Sequence, residues 1–508
     1  MTKRPALLPL LSLSWLLALS FFSCFTAAVA NNHLKTPQND CSAKHLKQHP
    51  RHILPCYLQK PDNHYHWQAT ETSEQTITVA DKKKTITAHS IEMRSQRWPV
   101  GRKDSVNHPV WLHRITVYQP EKVVHDSALL FINGGRLYSE NDEPLTVKQS
   151  PNNDLDFAYI AALSQSVVVD LKDVPNQYLQ FSDSKPLRED ALVAYTWEEF
   201  LKDPGENAFM PLTLPMVKAT QRAMDTVQAF MGKRKLKINQ FVLSGLSKRG
   251  WAAWLTAAMD NRVIAVAPMV IDVLNLQTVM DHHYKSYGRW APAVKDYHKI
   301  LAGLHSEPLT QLMQVVDPIY YVQQLKLPKY IVSAANDDFF LPDASRHYFS
   351  TLKGDKWLRA LPNARHYIAS MDNKLITDTL ASFYGSVVEQ RPMPSVYWSL
   401  KGNDLKVTST IPPKSAKLWS AVNPEARDFR LTPDNPAVKP FSAKELAVKC
   451  DNACRIKASI TPQKKGWKAS FIELEFANPP FENLSVTTQV FITPDTYPHK
   501  KASTSHNK

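Results

Sequence analysis

Residues 240–260, QFVLSGLSKRGWAAWLTAAMD, constrain the fold of this chain more than any other stretch. Phe241, Val242 and Leu243 form a short apolar run of the kind that makes a buried strand. The run stops at Ser244-Gly245, and Trp251, Ala252, Trp254, Leu255 and Ala258 then follow at helical spacing. Ser247 sits on the sharp turn between them. Such a turn lifts a serine hydroxyl out of the sheet and sets it at a helix start, whose free N–H groups suit an oxyanion. Strand and helix backbones approach closely there, so small residues are needed around the serine. Gly245 meets that need two residues before Ser247. Two residues after it stands Arg249, and glycine arrives one later, at Gly250. The competing reading of this segment alone is an ordinary strand–turn–helix connection with a solvated serine.

The surrounding chain alternates strand and helix. Residues 111–118 alternate apolar and polar like a strand, and 128–132 and 166–171 are apolar runs. Helices are expected over 156–163, 189–201 and 214–231, and strands over 263–271, 330–334 and 357–361. A helix over 375–389 ends the series. Buried strands separated by helices predict an α/β fold: a doubly wound, mostly parallel sheet covered on both faces. Residues 275–324, rich in His, Tyr, Trp and Leu, are too long for a plain connection and read as a helical cap insertion. With 508 residues the chain exceeds one ordinary core. After Pro392 and Pro394 the character changes to short alternating runs at 396–400, 405–411, 416–422, 467–476 and 485–492, the spacing of a β-sandwich. The expected organisation is an arm at 31–75, an α/β domain at 76–390, a β-sandwich domain at 391–498 and a basic tail at 499–508.

A serine hydroxyl needs a base, and the base an orienting carboxylate. In doubly wound hydrolases they follow in the order Ser, Asp/Glu, His, each on a loop beyond a strand's carboxyl end. Asp337-Asp338 follows the strand at 330–334, and His366 follows the strand at 357–361, so order and placement both match. Asp337 is the preferred acid, with Asp338 supporting it or capping a helix. Asp272 also ends a strand and is read as tying down the cap through loop N–H groups. His282 and His283 fall in the cap and are read as structural or substrate-facing. The oxyanion donors expected are the N–H of Lys248 and that of Gly135, in the loop Asn133-Gly134-Gly135-Arg136 after an early strand. That loop uses two of only 13 glycines side by side.

Lys3 and Arg4, the apolar stretch 7–25 and Ala28-Val29-Ala30 read as a cleaved secretory signal over 1–30, with an uncleaved anchor as the alternative. Cleavage removes Cys24 and leaves Cys41, Cys56, Cys450 and Cys454. An even number in an exported chain points to two disulfides, and local pairing closes the shortest loops; metal binding is the alternative, though the spacings fit no common zinc pattern. Loss of Lys3 and Arg4 lowers the net charge from +14 to +12, which favours anionic surfaces or polymers. The lysines are scattered and no helix carries a basic stripe interleaved with aromatics, so nucleic acid is not an expected partner. His33, His45, His49, His52, His64 and His66 could suggest metal, but a loop-rich arm stapled by Cys41–Cys56 is the favoured reading. No organic cofactor and no metal are expected.

The segments GLSKRGW at 245–251, APMVIDVLN at 267–275, INGG at 132–135, VPNQ at 174–177 and REDALVAYTW at 188–197 resemble the PhoPQ-activated pathogenicity-related protein family. DDFFLPDASRHYFSTLKGDKWLRALPNARH at 337–366 and TPDTYP at 493–498 extend the likeness over nearly all of the chain after the signal. The resemblance implies an α/β-hydrolase fold with Ser247, Asp337 and His366 as its triad, and makes Arg249 a family habit. The family carries Gly-Asp-Glu where this chain has Asn336-Asp337-Asp338. It includes secreted proliferation-repressor proteins of social amoebae, and its name records virulence without implying a substrate. The leading expectation is an exported serine hydrolase acting on a small-molecule ester or a peptide-like amide. A secreted binding or signalling protein that keeps the hydrolase scaffold, meeting an anionic surface or a protein partner through its C-terminal domain, is the second. A metal-dependent hydrolase is the third.

Overall fold

The computed structural model describes residues 40–100, 106–146, 149 and 155–500. The signal segment 1–30 and the last residues of the basic tail lie outside them. Described residues of the chain from Asn39 onward form one compact unit.

Its frame is one long sheet. β1 (His66–Val79) and β2 (Lys82–Arg97) form a hairpin, and β3 (Val110–Pro120) lies antiparallel to β2. The hairpin turn is Ala80-Asp81, both at positive φ, the conformation that suits the right-handed twist of paired strands. β4 (Ser127–Ile132), β5 (Val167–Leu171), β6 (Gln240–Leu246), β7 (Val263–Met269), β8 (Lys329–Ala334) and β9 (Lys356–Leu361) follow. The order is β1-β2-β3-β5-β4-β6-β7-β8-β9, parallel from β5 to β9. These strands read as unbroken apolar runs because both faces are covered. Ala128, Leu130 and Ile132 of β4 enter one core, and Leu129 and Phe131 the other.

Helices α1 (Ala43–Gln48) and α2 (Ile53–Gln59) precede the sheet. The expected loop-rich arm at 31–75 is therefore largely helical from Ala43 to Gln59, and β1 starts at His66. The Cys41–Cys56 disulfide joins the start of α1 to α2. α3 (Phe157–Ser164) packs on one face; α4 (Glu189–Lys202), α5 (Thr213–Lys233) and α6 (Lys248–Met259) cover the other. The insertion between β7 and β8 carries α7 (Leu276–Tyr287), α8 (His298–Leu301), α9 (Glu307–Val316) and short 3-10 turns. Asp317 closes it. Its carboxylate accepts from the N–H groups of Asn275 at 3.1 Å, Leu276 at 2.7 Å and Ile319 at 2.9 Å.

α10 (Ile368–Met371) and α11 (Asn373–Val388) follow β9. The remaining strands are β10 (Val396–Lys401), β11 (Asp404–Ser409), β12 (Ser415–Asn423), β13 (Lys439–Glu445), β14 (Lys449–Cys450), β15 (Cys454–Ser459), β16 (Trp467–Phe476), β17 (Leu484–Thr487) and β18 (Phe491–Thr493). They make two antiparallel layers. One, β10-β11-β15-β14, stands apart and holds the Cys450–Cys454 disulfide. The other continues the central sheet, because β17 pairs with β9 at Thr487 and Leu358. Leu405 and Ile456 from one layer and Leu418 and Ile472 from the other share a core with Phe383 and Tyr384 of α11. No helix among the described residues is long and apolar enough to cross a membrane.

Candidate active site

β6 ends at Leu246, α6 begins at Lys248, and Ser247 makes the whole turn between them. Its φ of 55° and ψ of −130° are strained for a residue with a side chain. The turn is held by Ser247 N donating to Met269 O at 2.8 Å. The misplaced glycine has a packing explanation. A Cβ on Gly245 would stand 2.8 Å from the Arg249 backbone and 2.9 Å from Ile132 O. A Cβ on Gly250 would stand 2.7 Å from Gly245 O. Gly250 thus supplies the close approach, while the Arg249 side chain leaves the crossing and lies against Gly134, 3.1 Å from where a Cβ would be.

The three expected residues converge. His366 Nε2 lies 3.0 Å from Ser247 Oγ, and its Nδ1 lies 2.9 and 3.0 Å from the Asp337 carboxylate oxygens. Asp337 and His366 are both buried. The N–H groups of Phe339 and Phe340 fix the Asp337 carboxylate at 2.7 and 3.2 Å, and the Phe339 ring packs at a tilt against the imidazole, 4.3 Å between centroids. Asp338 turns away from the imidazole and takes Arg365 Nη2 at 2.7 Å, clamping the residue before His366.

Asp272 does not hold loop N–H groups as expected; Asp317 has that task, being opposite both ends of the insertion. The Asp272 carboxylate accepts from the Tyr348 hydroxyl instead. Burial pushes it up to about 7, with the Tyr348 bond opposing and the nearby Asp337 charge adding to the rise. His282 lies in the cap between Asp343, at 2.8 Å from Nε2, and the Tyr497 hydroxyl, at 2.8 Å from Nδ1. His283 Nε2 accepts from Ala291 N at 3.0 Å, and burial pulls its imidazole down to about 3. In the arm, His52 stacks with His45 and with His49, and His45 and His49 meet at a tilt.

The loop after β4 is shaped by Asn133. Its amide donates to Asp170 at 2.9 Å, and its side-chain oxygen takes the Gly134 N–H at 2.8 Å. That occupies Gly134 and leaves Gly135, at a φ of 125°, beside Ser247 and Lys248 in the cleft wall. The second N–H available there is that of Lys248, in the first turn of α6.

Glu189 links these two donors, and no sequence pattern marked it. Its carboxylate takes Arg249 through Nη1 at 2.9 Å and Nη2 at 2.7 Å, and Lys248 Nζ at 2.7 Å. It also accepts from Gln177 Nε2 at 2.8 Å, and that same nitrogen donates to Gly135 O at 2.9 Å. Burial works against the Glu189 charge, but Arg249 and Lys248 outweigh it and hold the carboxyl well below its usual range. Gln177 and Glu189 fall in the VPNQ and REDALVAYTW segments, the one signal that could have found them.

Ser247, Gly135 and His366 open on a cleft of about 1050 Å3. Glu189, Arg188, Arg365 and Arg430 stand in its wall. The arrangement has what acyl transfer needs: a hydroxyl on a base, a base on a carboxylate, and N–H donors beside the hydroxyl.

The model of the PhoPQ-activated pathogenicity-related proteins matches residues 54–430. The chain belongs to this family. The matched PhoPQ-related region contains the parallel sheet, the cap and all of the residues gathered round Ser247. The chain is also 30% identical over 481 residues to autocrine proliferation repressor protein A of Dictyostelium discoideum, covering 88% of this chain and 91% of that protein. Among solved structures it is similar to acetyl xylan esterase 1 of Thermoanaerobacterium sp., with a TM-score of 0.41 and 13% identity over 65% of this chain and 92% of that one. It is also similar to an esterase of Pyrobaculum calidifontis, with a TM-score of 0.34 and 15% identity over 70% of this chain and 94% of that one.

Proposed function

We propose that this PhoPQ-related protein is an exported serine hydrolase that cleaves an ester or a peptide-like amide. The observation that carries the reading is the hydrogen-bonded line Ser247 Oγ, His366 Nε2, with His366 Nδ1 on Asp337. Ser247 attacks the carbonyl carbon as its proton passes to His366 Nε2. Asp337 keeps the imidazole in the right tautomer and stabilises its cation. The N–H groups of Lys248 and Gly135 hold the oxyanion. His366 then protonates the leaving group, and a water activated by the same histidine releases the acyl group and restores Ser247. The two disulfides support export to the periplasm or beyond the cell. The family name supports an association with virulence.

Hydrolysis of short acyl esters and aminoacyl amides by the purified protein tests this reading. Turnover is expected from the natural sequence and not from Ser247→Ala; equal turnover by both would sink it. A second reading is favoured by one observation, the 30% identity to a protein named as a proliferation repressor. In it the chain is a secreted signal whose basic C-terminal strands meet an anionic surface or a protein partner. Ser247→Ala would then keep biological activity, and charge reversals on those strands would abolish it.

A further inference from the structure

Ser247 stands at the meeting of two spaces of different character. One is the wide, charged cleft. The other is a chamber of about 70 Å3 between α6 and the cap. Asp190, Ser247, Lys248 and Phe339 line both and form the neck between them. Beyond the neck the wall is apolar: Trp251, Val273, Met280, Val294, Leu304 and Met313 line it, and each is at least nine-tenths buried.

The polar side chains of that wall are engaged elsewhere. Lys248 Nζ is held by Glu189 at 2.7 Å and Asp190 at 3.4 Å, and the Tyr297 hydroxyl donates to Asp190 at 3.0 Å. Gln277 Nε2 donates to Leu304 O at 2.8 Å, and Trp251 Nε1 to Val316 O at 2.5 Å. Trp197 Nε1 has no partner, but one neutral donor does not compensate a charged group. A charged substituent entering the chamber would lose its water and gain little in return, whereas a methylene chain gains from every group buried.

We propose that this chamber binds the acyl part of the substrate, an aliphatic chain of about five to seven carbons. The length follows because one water-sized group needs roughly 10–15 Å3 of such space, so the chamber of about 70 Å3 holds roughly five to seven. The assignment of sides follows from the reaction order. The acyl group stays bonded to Ser247 while the leaving group departs and water arrives, and the wide cleft serves both movements. The charged cleft wall suits a polar leaving group. This inference rests on the serine-hydrolase reading above.

The test measures kcat/KM on p-nitrophenyl esters from acetate to dodecanoate, with the natural sequence, Met280→Ala and Val294→Phe. In the natural protein kcat/KM should rise about fourfold per methylene up to esters of about five to seven carbons, and fall at least about tenfold by dodecanoate. Met280→Ala should move the maximum to longer chains. Val294→Phe should lower the hexanoate-to-acetate ratio by about tenfold or more. The two variants change volume in opposite directions, so loss of folding in one leaves the other to decide. A flat profile, or one that neither variant moves, overturns the chamber while leaving the hydrolase reading intact. No turnover of any ester, together with no labelling by a fluorophosphonate, overturns both.

Discussion

Glu189 and Arg249 face each other through two parallel hydrogen bonds, Nη1 to Oε2 at 2.9 Å and Nη2 to Oε1 at 2.7 Å. The pair explains how an arginine can occupy a position where hydrolase turns usually keep glycine. Its guanidinium is drawn under Gly134, and its Nε donates to Val174 O at 2.6 Å, so the side chain braces the loop at 133–136 from below. Glu189→Gln leaves two cations facing a neutral amide. We expect kcat/KM to fall about 100-fold through misplaced donors, with stability lower by about 2–3 kcal/mol. The contribution of the Glu189 charge is present above the ordinary glutamate range and is lost as pH falls through its depressed value. Steady-state kinetics at pH 8, and denaturant unfolding of the variant and the natural protein from pH 8 down to about pH 2, check both.

Two adjacent aspartates should behave very differently. Asp337 touches the imidazole, so Asp337→Asn should present the wrong tautomer to Ser247 and cost about 10^3–10^4-fold in kcat. Asp338 touches Arg365 instead, so Asp338→Asn should cost about tenfold or less. Equal losses in the two variants would contradict the assignment of the acid.

Asp272 predicts a pH dependence of stability. Its carboxyl is raised to about 7 in the fold, so the stability it contributes is full below the ordinary aspartate value and is lost as pH rises through 7. Replacing it with Asn removes this component. The difference in unfolding free energy between the natural protein and Asp272→Asn should therefore shift against the natural protein between pH 4 and pH 8, by up to about 4 kcal/mol. A constant difference across that range would contradict the buried acid.

The C-terminal strands should not be removable. β17 continues the sheet at β9, and Phe481 and Leu484 share a core with Phe383 and Tyr384 of α11. Truncation after residue 390 exposes that core and an open sheet edge, and insoluble protein is expected on expression. A soluble, cooperatively unfolding fragment would contradict this packing.

What was legible in the sequence follows from physics of short range. β4, β5 and β6 are covered on both faces and so announce themselves as apolar runs, and the loops after β8 and β9 carry Asp337 and His366 where a doubly wound sheet delivers them. The hairpin β1–β2 was missed because β1 is exposed along nearly all its length and shows no apolar alternation. The junction of β9 with β17 rests on backbone pairing of residues far apart in sequence, which side-chain patterns do not encode. Glu189 was invisible for a related reason. An acid in the first turn of a helix is ordinary dipole chemistry, and only the fold brings Arg249 and Lys248 to it. Asp272 departs from its expected role because a strand-end aspartate does not reveal whether a hydroxyl or loop N–H groups will meet it.

Labelling of the purified protein with a fluorophosphonate probe reads the proposed activation of Ser247 without any choice of substrate. Ser247 should be labelled in the natural protein, and labelling should disappear in Ser247→Ala and fall steeply in Asp337→Asn. Absence of labelling in the folded natural protein, or equal labelling in Ser247→Ala, would contradict it.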